Sequence, residues 1–283
     1  MPDTSSRQTL LLGHSPDPDD AFMFYGLAKG LVDSGAWQFE HVLQDIQTLN
    51  ERALRGELHI SAISIHAYPY VADKYALLNC GASMGDGYGP MVVAREPMMW
   101  RDLRGKRIAV PGTMTSAFLA LSLLLGKDSF EPQVVMFDQI LDHVATGKAD
   151  AGLIIHEGQL TYQNHKLNCV VDLGKWWQRQ TDLPLPLGGN VIRRDLGADA
   201  MREISGILQR SIQYSLDHRD EAVAHAMAYA RDMGRDLADK FVGMYVNHFT
   251  LDYGEDGREA VREFLRRGNL IGLVPDPGPI EFV

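Results

Sequence analysis

Short apolar runs alternate along the chain with stretches whose apolar residues recur at helix period. Residues 9–12 read as a strand that stops at Gly13-His14-Ser15. The run Ser15-Pro16-Asp17-Pro18-Asp19-Asp20 then opens a helix: Ser or Asp can cap it, Pro fits its first turn, and acids there complement the dipole. After a stop near Gly30 come a strand at 39–43, a helix at 46–54 ended by Gly56, and a strand at 59–65. A helix at 67–74, a strand at 75–80, a loop at 85–90 and a strand at 91–94 complete this run. A second run has strands at 107–110, 133–137 and 151–155, with helices at 117–125 and 138–146 stopped by Gly126 and Gly147. Such alternation predicts mostly parallel sheets flanked by helices, with right-handed crossovers.

Arg95-Glu96-Pro97 marks the change of unit. After a strand at 170–173, Trp176-Trp177 and the passage Asp182-Leu183-Pro184-Leu185-Pro186-Leu187-Gly188-Gly189-Asn190 read as extended, since its prolines forbid a helix. This is the expected return crossing. Residues 1–95 and 190–283 would then form one lobe and 96–189 the other. Beyond 199, helix-period residues predict helices at 201–216, 219–233, 235–249 and 254–267, then a tail. The two runs echo each other: aligning Gly56 with Gly147 sets Ile60 on Ala151 and Ile65 on His156.

The 283 residues are 45% hydrophobic, ample for a core, and the net charge of −10 argues against a nucleic-acid surface. Cys80 and Cys169 show no metal-ligand spacing and read as two buried thiols of a reducing compartment, with a single disulfide as the alternative. No run approaches the ~18 apolar residues of a membrane span. The polar start, with no signal-like stretch, leads to the expectation of a cytoplasmic protein with no nucleic-acid or membrane partner. An oligomer is not indicated.

Candidate chemistry gathers at strand ends, where open α/β sheets bind ligands. His156 ends the apolar run at 151–155, and its ordinary pKa of ~6.5 suits a general base near neutral pH. A core histidine bonded to backbone is the competing reading. Thr113, Thr115 and Ser116 precede an apolar helix, where hydroxyls and free N–H groups make an anion site for a small carboxylate; plain capping explains them as well. On the strand at 59–65, Ser61 and Ser64 face opposite sides, and Ser64 is the choice for the cleft, with Ala62 and Ile63 as backbone lining. Ser61 is kept, with close packing as its alternative. Asp17, Asp19 and Asp20 look like a metal cluster on paper, but dipole complementation accounts for them and no metal is expected. Asp19 or Asp20 could bond substrate hydroxyls. His14 and Ser15 would line the cleft, and Tyr88, between glycines, offers a ring to stack on an aromatic ligand, unless 85–90 is simply a turn.

The stretch His14-Ser15-Pro16-Asp17-Pro18-Asp19-Asp20-Ala21-Phe22-Met23 resembles the opening motif of the 1,4-dihydroxy-6-naphthoate synthase family of the futalosine route to menaquinone. Ser61-Ala62-Ile63-Ser64, residues 85–90, 112–116 and 184–190, and Ile154-Ile155-His156-Glu157 look like further blocks of that family, in its order. The resemblance implies the two-lobed (type II) fold of periplasmic binding proteins with substrate between the lobes. It also implies a cofactor-independent carbon–carbon lyase that releases the sugar-derived part of cyclic de-hypoxanthine futalosine, with His156 as catalytic histidine. Two other functions share the architecture: a transporter's solute-binding protein, which an export signal would accompany, and the sibling enzymes that dehydrate chorismate, whose opening lacks the Ser-Pro-x-x-Asp-Asp run.

Overall fold

Two mixed β-sheets carry the fold in a computed structural model that describes residues 7–230 and 234–283. In chain order the strands are β1 (Gln8–His14), β2 (Trp37–Leu43), β3 (Ile60–Ser64), β4 (Tyr75–Leu77), β5 (Ser83–Gly85), β6 (Met91–Ala94), β7 (Arg107–Val110), β8 (Glu131–Val134), β9 (Ala151–Ile154), β10 (Asn168–Asp172) and β11 (Leu185–Arg193). The first sheet runs β2-β1-β3-β11-β4, with β5 also on β11, and the second β10-β6-β9-β7-β8. The helices are α1 (Pro18–Met23), α2 (Tyr25–Ala28), α3 (Ile46–Leu54), α4 (Ser116–Leu125), α5 (Ile140–Ala145), α6 (Gly158–Thr161), α7 (Leu173–Thr181), α8 (Ala198–Asp217), α9 (Arg219–Ala226), α10 (Arg235–Tyr245), α11 (His248–Leu251) and α12 (Gly254–Leu270).

Helices join the parallel strands, β1 to β2 and β3, and β7 to β8 and β9. The sheets are nevertheless mixed rather than mostly parallel. The strands that follow each crossing run antiparallel to their neighbours, β6 to β9 and β10, and β11 to β3, β4 and β5. Sheet membership also moves the crossings. β6 already belongs to the second sheet and β11 wholly to the first, so the chain leaves the first sheet within 86–90, ahead of 95–97, and returns to it between β10 and β11. The echo between the runs coincides with equivalent elements: α3 leads into β3 at Ile60, and α5 into β9 at Ala151.

Trp176 and Trp177 are helical, not extended, because the prolines act only from 184 onward. Asp172 caps α7 by accepting from Lys175 N at 3.0 Å, and Asp182 ends it in the left-handed region (φ 59°). Trp177 is fully buried, edge-on to Phe264 at 5.4 Å. Pro186 sits in β11 where pairing with β5 slips between Pro186 and Gly188, the bulge at which a strand tolerates proline. Residues 65–70 form a 3-10 turn, Pro69 inside it, in place of an α-helix. The helix expected at 235–249 breaks at Val246, and Asn247 caps a separate turn. The last three positions of the helix expected at 219–233 lie outside the described residues.

One apolar core joins the sheets, with Ile63, Leu77 and Val191 on one side, Val92, Ile108 and Leu153 on the other, and α4 and Phe264 of α12 among them. That explains why α4 is apolar almost all round. Cys80 is a buried free thiol, but Cys169 is exposed, so only one of the two is the core residue expected. Among the described residues no helix is long and apolar enough to cross a membrane.

Candidate active site

A cavity of about 750 Å³, including its open mouth, lies between the sheets. Its floor is the face of β3 and β11 on which Ala62 pairs with Asn190 and Ser64 with Gly188. Its walls are the starts of α1 and α4, the turn from β9 into α6, and Phe241 and Tyr245 of α10.

His156 follows β9 in the left-handed region (φ 58°), a conformation costly for a residue with a side chain and therefore a constraint on where the ring points. The ring reaches across to α1, placing Nδ1 3.2 Å from Asp17 Oδ2, and packs edge-on to Phe137 at 4.7 Å. Asp17 is only 3% exposed at its side chain while His156 keeps 17%, so the carboxylate is shielded and the ring is reachable. With Nδ1–H donating to Asp17, Nε2 carries the lone pair, the tautomer that can take a proton from a ligand.

The loop before α1 is tied together by its own carboxylates. Ser15 N donates to Asp20 Oδ2 at 2.7 Å, and Ser15 Oγ shares its hydrogen between Asp17 Oδ2 at 2.8 Å and Asp20 Oδ2 at 2.9 Å. Burial pushes Asp20 up to about 6, against the pull of the Ser15 N–H. Burial, then the charges of Asp20 and Asp17, drives Asp19 well above the ordinary carboxylate range. Ser15, Asp19 and Asp20 line the cavity. His14 does not: it lies behind the loop, Nδ1 bonded to Ser15 O at 3.1 Å and Nε2 2.9 Å from His41 Nδ1. Burial lowers both rings to about 4.

The start of α4 is the opposite wall. Thr115 is its N-cap, accepting from Phe118 N at 3.2 Å and donating to Gly112 O at 2.9 Å. Ser116 Oγ accepts from His66 N and donates to Leu187 O, and His66 Nδ1 donates to Thr115 O at 3.1 Å. Ser64 Oγ accepts from Asn50 Nδ2 at 3.1 Å, which leaves its hydroxyl hydrogen for a ligand. Thr115, Ser116, Ala62, Ile63 and Ser64 all line the cavity.

Besides His14, three expected residues lie elsewhere. Thr113 is exposed on the far side of its loop, because Thr115 and not Thr113 caps the helix. Ser61 is fully buried and donates to Ala62 O at 2.9 Å, the period of the strand turning it from the cavity. Tyr88 stacks on no ligand surface: its hydroxyl donates to Met244 O and its ring stands edge-on to Tyr245. Backbone contact fixes that loop, since a Cβ on Gly174 would lie 1.9 Å from Tyr88 O. Conversely, the sequence reading gave no role to Gln159, Asn190 or Tyr245. Asn190 sits in the 184–190 block and Gln159 three residues after His156, signals that were there; Tyr245 is one of many periodic helix residues. Among the described residues no group of three or more His, Cys, Asp or Glu is placed to hold a metal ion.

A family profile described as menaquinone biosynthesis matches residues 10–269. The chain belongs to that family. Within it, the 1,4-dihydroxy-6-naphthoate synthase of Thermus thermophilus is 43% identical over 274 residues, covering 96% of this chain and 99% of that protein. The enzyme of the same name from Streptomyces coelicolor is 41% identical over 279 residues, covering 97% and 98%. An enzymatic role in menaquinone biosynthesis follows. The alkanesulfonate-binding protein of Xanthomonas axonopodis pv. citri superposes with a TM-score of 0.72 over 98% of each chain at 10% identity. At that identity the likeness speaks for the fold alone: this member of the menaquinone biosynthesis family has the periplasmic-binding-protein-like architecture.

Proposed function

We propose that the chain converts cyclic de-hypoxanthine futalosine to 1,4-dihydroxy-6-naphthoate, as a carbon–carbon lyase that draws on side chains alone, with His156 as general base. The reading keeps the protein a biosynthetic enzyme of the cytoplasm acting on a small carboxylate. The observation that carries it is the His156–Asp17 pair on the wall of a cavity whose other wall is the capped start of α4. The substrate's carboxylate lies against Thr115, Ser116 and Ser64, since the acidic loop at the α1 end disfavours a further negative charge. Ala62 and Ile63 give backbone lining, and Ile46, Leu187 and Phe241 flank the ring system. The sugar-derived portion then reaches His156, whose Nε2 removes a proton; ring opening and aromatisation complete the release. Asp17 holds the tautomer and stabilises the imidazolium that forms.

Incubating the purified protein with cyclic de-hypoxanthine futalosine should yield naphthoate absorbance, with chorismate left unchanged. Absence of naphthoate overturns the reading. A solute-binding role, which the shared fold also accommodates, would bind the substrate and return it intact in the same assay.

A further inference from the structure

Three buried polar atoms on the cavity lining have no hydrogen-bond partner: Asp19 Oδ1, Gln159 Oε1 and Asn190 Oδ1. Gln159 and Asn190 are 3% and 2% exposed, so bulk water does not serve them. The Asn190 amide nitrogen faces Gly81 O at 3.3 Å, which fixes its oxygen as the open atom. Gly81 is required there, because a Cβ on it would lie 2.0 Å from Asn190 Nδ2. Gln159 Nε2 donates to Tyr245 Oη, which leaves Oε1 as the open atom. A buried polar group without a partner is destabilising, and its persistence points to a partner that arrives from outside. The placement is also specific: Gln159 N donates to His156 O at 3.2 Å, setting the open amide one turn from the base.

The two amide oxygens take only donors, and the acidic loop beside them disfavours an anion. We propose that Gln159 and Asn190, with Asp19, form a subsite for hydroxyl groups of the ligand's non-aromatic arm, and that Gln159 decides which arm is accepted beside His156. Identifying that arm as the sugar-derived part of the substrate rests on the function proposed above; the need for a donor-bearing arm does not. Substrate binding thus has two separable halves, a carboxylate half at α4 and a hydroxyl half at Gln159.

The test compares Gln159→Met with wild type on two ligands, the futalosine derivative, which has the arm, and the naphthoate product, which lacks it. kcat/KM for the first should fall roughly 10- to 100-fold, the cost of leaving a buried hydroxyl without its bond, while the product's inhibition constant stays within about threefold. Gln159→Glu, which keeps an acceptor of the same length, should recover to within roughly tenfold of wild type. Parallel loss of product affinity, or unchanged kcat/KM, overturns the subsite. Should Gln159→Met melt below the assay temperature, Asn190→Ser gives the same readout. If wild type itself leaves the substrate intact, the proposed reaction has failed on its own. The two ligands are then titrated by calorimetry into wild type and Gln159→Met, and the subsite stands only if the arm-bearing ligand alone loses affinity.

Discussion

The starts of α1 and α4 occupy equivalent places and carry opposite chemistry. Each follows the strand that pairs in parallel with its sheet's central strand, β1 with β3 at Leu12–Ile60 and β7 with β9 at Ile108–Ala151. In each, a buried histidine holds the carbonyl of the loop, His14 at Ser15 and His66 at Thr115, both at 3.1 Å. Yet the first loop supplies Asp17, Asp19 and Asp20, and the second hydroxyls and amide groups around Thr115 and Ser116. On the function proposed above, one repeated unit gives a cavity with an acidic end and an anion-receiving end, and a ligand with one carboxylate lies in it with its other end at His156.

The largest effect should come from removing the base that this orientation serves. His156→Asn is expected to lower kcat by about 10³-fold with KM little changed, measured by naphthoate absorbance; comparable turnover would remove the mechanism. Asp17→Asn keeps the ring but frees its tautomer, and kcat should fall, by less than on loss of the ring itself. The polarity itself is tested at the α4 end by comparing Thr115→Asp with Thr115→Asn. Both residues can cap the helix, so the pair differs chiefly in charge. The aspartate variant should bind naphthoate about fiftyfold more weakly than the asparagine variant, from like charges a few ångströms apart. Equal affinities would mean that the carboxylate does not sit there.

The smallest effect concerns the histidine behind the acidic loop. Its folded pKa lies below the unfolded value, so the folded state binds fewer protons between the two. Stability from His14 is therefore complete above pH 6.5 and is lost as pH falls toward 4. Asp20, raised to about 6, runs the other way: its contribution is complete below its ordinary value and is lost as pH rises through 6. The difference between two pH profiles isolates the histidine. From pH 6.5 to 5, wild type should lose about 2 kcal/mol more than His14→Gln in denaturant melts. Parallel profiles would show that His14 is not held neutral.

Much of this was legible locally. The span 46–54 is a helix because Asp45 caps it and Gly56 ends it, and β6 and β7 begin and end where their apolar runs do. Ser64 faces the cavity and Ser61 turns from it, as a two-residue period requires. Trp176 and Trp177 are helical although Pro184 follows, because a proline restricts only itself and its nearest neighbours. Sheet partners are not legible in this way: a strand's direction depends on what lies beside it, and nothing in the run at 91–94 says that it joins β9 antiparallel.

Local sequence suffices for the alternating elements, the two loops with their opposed side chains, and a histidine at a strand end. These are effects of capping, periodicity and backbone restriction, which act over a few residues. That Asp17 meets His156 across 139 positions of chain, that Gln159 reaches Tyr245, and that Tyr88 and Thr113 stay out of the cavity are matters of long-range packing. Such pairings follow from how two sheets pack on one core, and no window of neighbouring residues contains that information.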